Sequence, residues 1–161
     1  MRSHPLAATL VIAGILLLTF CREIQTSYYS DGTVRSQISM KNGKHHGEAT
    51  FYYGNGEKMM ECTYVNDTLE GKMIRYHTNG AVKEIMFFLS NRPDSLFQQW
   101  NPQGQLLVEG SYLDSLLHGK YREYFDNGEL KTDGNYNHGL MKGQWLFYDQ
   151  NGFIISRENY E

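Results

Sequence analysis

Along most of this chain apolar and polar positions alternate in short runs, each closed by a cluster of turn-forming residues. Val82, Glu84, Met86 and Phe88 fall on one side of an extended chain, as do Leu130, Thr132, Gly134 and Tyr136, and a period of two is the spacing of a half-covered β-strand. Glycine interrupts the pattern about every dozen residues, too often for a helix of useful length. The elements predicted are therefore short strands, with faces that are only partly apolar, as expected of a thinly covered or one-sided sheet.

The alternation is itself periodic. Glycine stands at 32, 56, 80, 104, 128 and 152, each behind a turn-forming or amide residue: Asp31, Asn55, Asn79, Gln103, Asn127 and Asn151. Four residues before these glycines come Tyr28, Tyr52, Tyr76, Trp100, Tyr124 and Tyr148, and eight after them Met40, Tyr64, Phe88, Tyr112, Tyr136 and Tyr160. A third series, Gly47, Gly71, Ser95, Gly119 and Gly143, opens each unit. Asn-Gly favours a tight hairpin in which both central residues take positive φ, so each 24-residue unit reads as a β-hairpin. In one such unit a strand runs from Gly47 to Tyr53, a turn from Gly54 to Gly56, a return strand from Glu57 to Tyr64 and a second polar turn from Val65 to Glu70. The fold class predicted is all-β: an elongated, twisted antiparallel meander in which each hairpin touches chiefly its neighbours and stacked tyrosines supply the cross-strand pairs.

The N-terminus follows another rule. An Arg precedes an apolar run from Leu6 to Phe20, about the length of a signal-peptide core and short for a membrane span. Its end, "LTFC" at Leu18 to Cys21, resembles a bacterial lipoprotein box, with Phe20 where such boxes carry Gly, Ala or Ser. That resemblance implies lipidation of Cys21 and a chain anchored on the extracytoplasmic face of a bacterial envelope; a signal without lipidation and a chance apolar start are the alternatives. The organisation expected is a signal segment 1–20, a linker 21–27 and a repeat domain 28–161 of about five and a half units.

The cassettes "GQWLFYDQNG" and "GKYREYFDNG", followed eight residues later by tyrosine, resemble the bacterial variant of the MORN repeat found in YwqK-type antitoxin proteins. The resemblance spans residues 28 to 160 and implies a repeat scaffold, with an antitoxin or immunity role as its specific form. The third full unit, "SLFQQWNPQG", departs from it: Ser95 replaces the opening glycine, Trp100 the tyrosine, and Pro93 and Pro102 flank the strand. Such a departure could mark a bend or a docking edge.

Composition narrows the function without fixing it. Fifteen basic residues are dispersed among eighteen acidic ones, for a net charge of −3, which gives no concentrated basic surface for nucleic acid. Cys62 is the second of two cysteines and reads as a small apolar strand residue. His46 and His118 occupy equivalent positions three units apart, roughly 30 Å by strand spacing, too far to share an ion; His45 and His138 read as turn or surface residues. Glu57 with Glu61, and Glu129 with Asp133, read as solvated acids, and "YYGNGE" around Gly54 lacks the Lys and the helix of a phosphate loop. No catalytic, cofactor or metal site is expected. What remains is surface: the third position of each unit holds Ala49, Met73, Phe97, Tyr121 and Trp145, growing toward the C-terminus. Phe97, Tyr121 and Trp145 form either an exposed stripe for a partner or the second half of the packed surface, and the strands Gln144–Tyr148 and Ile154–Tyr160 could present an open edge. The function expected is a non-enzymatic, membrane-tethered scaffold that binds an unidentified protein, a toxin in the antitoxin version. The alternative is an envelope module for glycan or lipid headgroups.

Overall fold

The structure, a computed structural model, describes residues 23–161; the signal segment, Cys21 and its anchor lie outside the described residues. Among the described residues all the regular elements are strands, fourteen of them in one antiparallel sheet. They are β1 (Glu23–Tyr28), β2 (Val34–Lys41), β3 (Lys44–Tyr52), β4 (Lys58–Val65), β5 (Thr68–Leu69), β6 (Gly71–Tyr76), β7 (Val82–Leu89), β8 (Arg92–Trp100), β9 (Leu106–Leu113), β10 (Leu116–Leu117), β11 (Gly119–Tyr124), β12 (Leu130–Asn137), β13 (Leu140–Tyr148) and β14 (Ile154–Tyr160). Sequence neighbours are sheet neighbours throughout, and the stubs β5 and β10 pair with β4 and β9. Residues 23–27, expected as linker, belong to β1, because the first turn at Asp31-Gly32 needs an opening strand before it.

The turns exchange the roles that the sequence suggests. At the Asn-Gly turns only the glycine is left-handed: Gly56 has φ +84°, and Asn55 is not among the positive-φ residues. The Gly56 N–H bonds the Tyr53 carbonyl (2.9 Å) and the Tyr53 N–H bonds the Glu57 carbonyl (2.8 Å), a type I turn closed by a glycine bulge. The Asn side chain is thereby free to act as a strap. Asn55 Oδ1 accepts from the Glu57 N–H (3.1 Å), while its Nδ2 donates to the Thr78 carbonyl of the next unit (3.3 Å). Asn79 reaches Pro102 and Asn127 reaches Gln150 in the same way, each at 2.9 Å. Two-residue turns with both centres at positive φ lie at the other end of the hairpins, at Asn42-Gly43, Asn66-Asp67, Ser90-Asn91, Asp114-Ser115 and His138-Gly139. The expected six-residue turn at 65–70 is thus two residues wide, Val65 pairing with Thr68.

The opening glycines take two places: Gly71 and Gly119 start β6 and β11 after the stubs β5 and β10, while Gly47 and Gly143 lie within β3 and β13 beside irregularities in the ladder. Gly47, Gly71, Gly119 and Gly143 have φ between +68° and +109°, and the register slips beside the equivalent residue Ser95, between Met86 and Phe87. Ser95 is held at φ +61°, a conformation that opposes its Cβ. Ser95→Gly is expected to raise stability by about 1 kcal/mol, read as a higher denaturation midpoint; no change would mean that the surroundings have relaxed around the serine.

Cross-strand register places Ile38, Ala49, Cys62, Met73, Met86, Phe97, Gly110, Tyr121, Gly134 and Trp145 in one row across one face. Going along it, the opening-strand members grow from Ala49 to Trp145, while the return-strand members Ile38, Cys62 and Met86 give way to Gly110 and Gly134 beside the largest rings. The rings of Tyr121 and Trp145, two strands apart and so about 9.6 Å by backbone spacing, approach to 5.9 Å between centroids over Gly134. The two tyrosine ladders do not stack on each other. Tyr64, Phe88, Tyr136 and Tyr160 stand opposite Gly47, Gly71, Gly119 and Gly143 on this ring face. The hydroxyls of Tyr52, Tyr76 and Tyr124 instead reach Gln37, Glu61 and Glu109 on the other face.

Candidate interaction surface

The structure moves Phe97, Tyr121 and Trp145 from candidate contact stripe to core. Trp145 is 2% exposed and Phe97 6%; Tyr121 is half-buried between Phe97, Tyr136 and Trp145. The indole N–H of Trp145 donates to the Asn135 carbonyl (3.2 Å), as a buried indole must. Burial, then a hydrogen bond to Glu123, pushes the Tyr121 phenol up. These side chains offer little to a partner because each lies over a glycine of an adjacent strand, Phe97 and Tyr121 over Gly110 and Trp145 over Gly134, which leaves room for it to fold down.

The other face carries the accessible chemistry. One of its rows runs Gln37, Thr50, Glu61, Ile74, Ile85, Gln98, Glu109, Arg122, Asp133 and Leu146. Toward its C-terminal end Arg122 bridges Glu109 (3.0 Å) and Asp133 (3.3 Å), and Lys120 meets Asp133 (2.7 Å). Toward its N-terminal end Glu61 is paired with Lys58 and accepts the Tyr76 hydroxyl. Between these polar networks the face turns apolar, with Ile74 and Ile85 adjacent across β6 and β7 and, beside them, Phe87 at 37% and Leu96 at 66% exposure. Positions equivalent to Phe87 in the other units hold Ser39, Thr63, Ser111, Asn135 and Asn159; those equivalent to Leu96 hold Glu48, Lys72, Lys120 and Gln144, with Ile24 on the first strand the apolar exception. Where the other units present a tyrosine and its acceptor, this one has Trp100 and Ile85.

Ile85, Phe87 and Leu96 line an open depression of about 280 Å³ with Lys72 and Gln98. Through Lys72 it meets a second depression beside Ile74, Glu48 and Glu61, and through Leu96 and Gln98 a third bounded by Glu109, Lys120 and Arg122. The result is a groove across the strands, apolar in the middle and charged at both ends, spanning roughly 30 Å from β3 to β11. Sequence reasoning missed Phe87, Leu96, Ile74 and Ile85; lining up the units by position would have exposed them.

The remaining candidates have structural partners. Cys62 is buried in the ring-face row, and burial pushes its thiol up, which leaves little nucleophilic thiolate. His118 and His138 come together, ring centroids 4.9 Å apart, with His118 Nδ1 buried and unpartnered. Among the described residues no three His, Cys, Asp or Glu side chains are placed to hold a metal.

The carboxylates of this face should set the acid limit of the fold. Lys58, then the Tyr76 hydroxyl, holds Glu61 below its ordinary value of 4.5. Burial pulls Glu109 up, but Arg122, Tyr124 and Gln98 together outweigh it and leave the group lowered. Depressed carboxylates contribute stability above their unfolded values and lose it as pH falls through the folded ones. The melting temperature should drop as pH is lowered from about 5 toward about 3, and by less in Glu61→Gln/Glu109→Gln. At the alkaline end Tyr76 is pushed up to about 12 by burial and by Glu61; its contribution, complete below the ordinary value of 10, is lost as pH rises through about 12.

Comparison with known families gives four matches to the MORN repeat variant, at residues 24–42, 46–66, 69–89 and 117–138, together more than half of the chain. The matches skip residues 90–116, which include Ser95, Leu96, Trp100 and Pro102. No curated protein matches the chain.

Proposed function

The chain belongs to the MORN repeat variant family, whose repeats are in general modules that bind proteins or membranes, and from that premise we propose that it is a non-enzymatic scaffold that binds a protein through the groove opposite its ring face. One observation carries this reading: Phe87 and Leu96, with Ile74 and Ile85, form an exposed apolar patch at positions that are mostly polar in the other units. Contiguous exposed apolar surface is characteristic of interaction sites, and an apolar centre with a charged rim matches the anatomy of protein interfaces. Three of the four side chains are aliphatic, so the patch suits an apolar ridge of another protein better than the stacking planes that sugars use.

The narrower form of the proposal is an immunity role in which the partner is a toxin occluded by this groove, on the extracytoplasmic side of the membrane. The location is supported by the apolar run Leu6–Phe20 and by Cys21.

Affinity capture from envelope extracts tests the reading. Phe87→Ser/Leu96→Ser should change stability by less than about 1 kcal/mol, because both side chains are exposed, yet reduce recovery of the partner at least about tenfold. Equal recovery by both proteins, or recovery of peptidoglycan or lipid alone, would sink the proposal. Intact mass of the same preparation should show acylation on Cys21; an unmodified chain from Met1 removes the anchor.

A further inference from the structure

The sheet contains whole hairpins only. It starts on an opening strand, β1, and ends on a return strand, β14, with the return strands beginning at residues 34, 58, 82, 106, 130 and 154. Inside the sheet each return strand pairs with the next opening strand, as β2 does with β3. Among the described residues β14 has no such follower, and β1 has no return strand before it.

The straps between units are half-made at the same two ends. Asn55, Asn79 and Asn127 each donate to a carbonyl 23 residues on. In the last unit the equivalent donor is Asn151, and counting back six units its acceptor corresponds to the carbonyl of Ser30. The hydroxyls of Tyr29 and Tyr53 take the carbonyls of Tyr52 and Tyr76; the first member of that acceptor series is Tyr28. Among the described residues one end thus presents a spare donor and the other its acceptors. Apolar side chains are exposed at both, Ile24 and Tyr28 on β1, and Phe153, Ile154 and Ile155 at the start of β14. At the position of Phe153 the earlier units carry Thr33, Glu57, Ala81, Gln105 and Glu129.

We propose that the occupant of these edges is a second copy of this chain, β14 of one molecule pairing antiparallel with β1 of the next in the register that joins β2 to β3. With β2 carried forward five units to β14 and β3 carried back one to β1, that register sets Ser156 against Ser27, Arg157 against Thr26 and Glu158 against Gln25 of the neighbour. No like charges meet in these three pairs. The contact joins two different edges, so it repeats head to tail and lengthens the sheet instead of closing a dimer. It uses neither Phe87 nor Leu96, and Phe87→Ser/Leu96→Ser should self-associate as the wild type does, which separates this proposal from the one above.

Light scattering on the purified full chain over a concentration series tests it. The wild type should show concentration-dependent growth beyond a dimer. Thr26→Lys, which places a cation opposite the neighbour's Arg157, should weaken association about fivefold while leaving the unfolding midpoint of the monomer in place. Adding Arg157→Glu should restore it. A protein that stays monomeric throughout overturns the proposal, including the case in which the chain's own residues 1–22 take the place on β1. So does a closed dimer indifferent to Thr26→Lys, the mark of β14 pairing with itself.

Discussion

Trp145→Ala is expected to cost about 3–5 kcal/mol and to unfold the C-terminal hairpins ahead of the rest of the sheet. The indole contacts Tyr121, Tyr136, Phe147 and Tyr160 at ring-centroid distances of 5.1–6.4 Å and holds the Asn135 carbonyl. Removal leaves a void that Gly134, having no side chain, cannot help to fill. In a repeat array stability is close to a sum of unit and neighbour terms, so the loss should remain local. Hydrogen exchange should show lost amide protection across β12 to β14 and retained protection across β2 to β7. Uniform loss would mean that the sheet folds as a single cooperative body; unchanged protection would mean that the ring does not hold the end together.

Gly134→Ala is expected to destabilise by about 2–3 kcal/mol, against the usual gain from replacing a strand glycine. Gly134 is outside the positive-φ residues, so its backbone accepts alanine; the obstacle is steric. A Cβ there would lie 2.2 Å from Trp145 Cδ2 and 2.3 Å from Cε2, and the indole is walled in by its neighbours. Combined with Trp145→Ala the same change should be nearly silent, a coupling of about 2 kcal/mol in a double-mutant cycle of denaturation midpoints. A neutral or stabilising Gly134→Ala would show that the ring can slide aside. Gly110→Ala, facing Phe97 Cε1 at 2.7 Å, should act in the same direction and more weakly.

The repeat and its hairpins were legible because backbone geometry demands glycine at fixed places, and Gly56 or Gly152 announces its turn whatever surrounds it. The faces were harder to read. Bulges at Gly47, Ser95 and Gly143 shift the alternation within each unit, so counting by twos across them assigns side chains to faces unreliably. The signal for Trp145 was present eleven residues upstream, where Gly134 stands at the position that holds Ile38 opposite Ala49. A column of growing residues beside one that ends in two glycines is a sign of packing. His118 and His138 were missed as neighbours for a related reason: residues 20 apart meet across successive turns, as Glu70 and Ser90 also do. The third unit did stand out, through Ser95, Trp100, Pro93 and Pro102, but its meaning lay in Phe87 and Leu96, which look like ordinary strand residues until the register puts them on the face away from the core.

The matched volumes along the ring face also bear on how such a chain finds its alignment. Hairpins that share turns, straps and ladder spacing could pair one whole unit out of step with little loss of backbone hydrogen bonding, and tandem sequences carry that hazard while folding. Here a jump of one unit would set Met86 against Tyr121, crowding a ring that natively lies between Gly110 and Gly134, or Cys62 against Phe97, leaving a gap where Met86 packs. Backbone bonds make the hairpins interchangeable; side-chain size gives each an address.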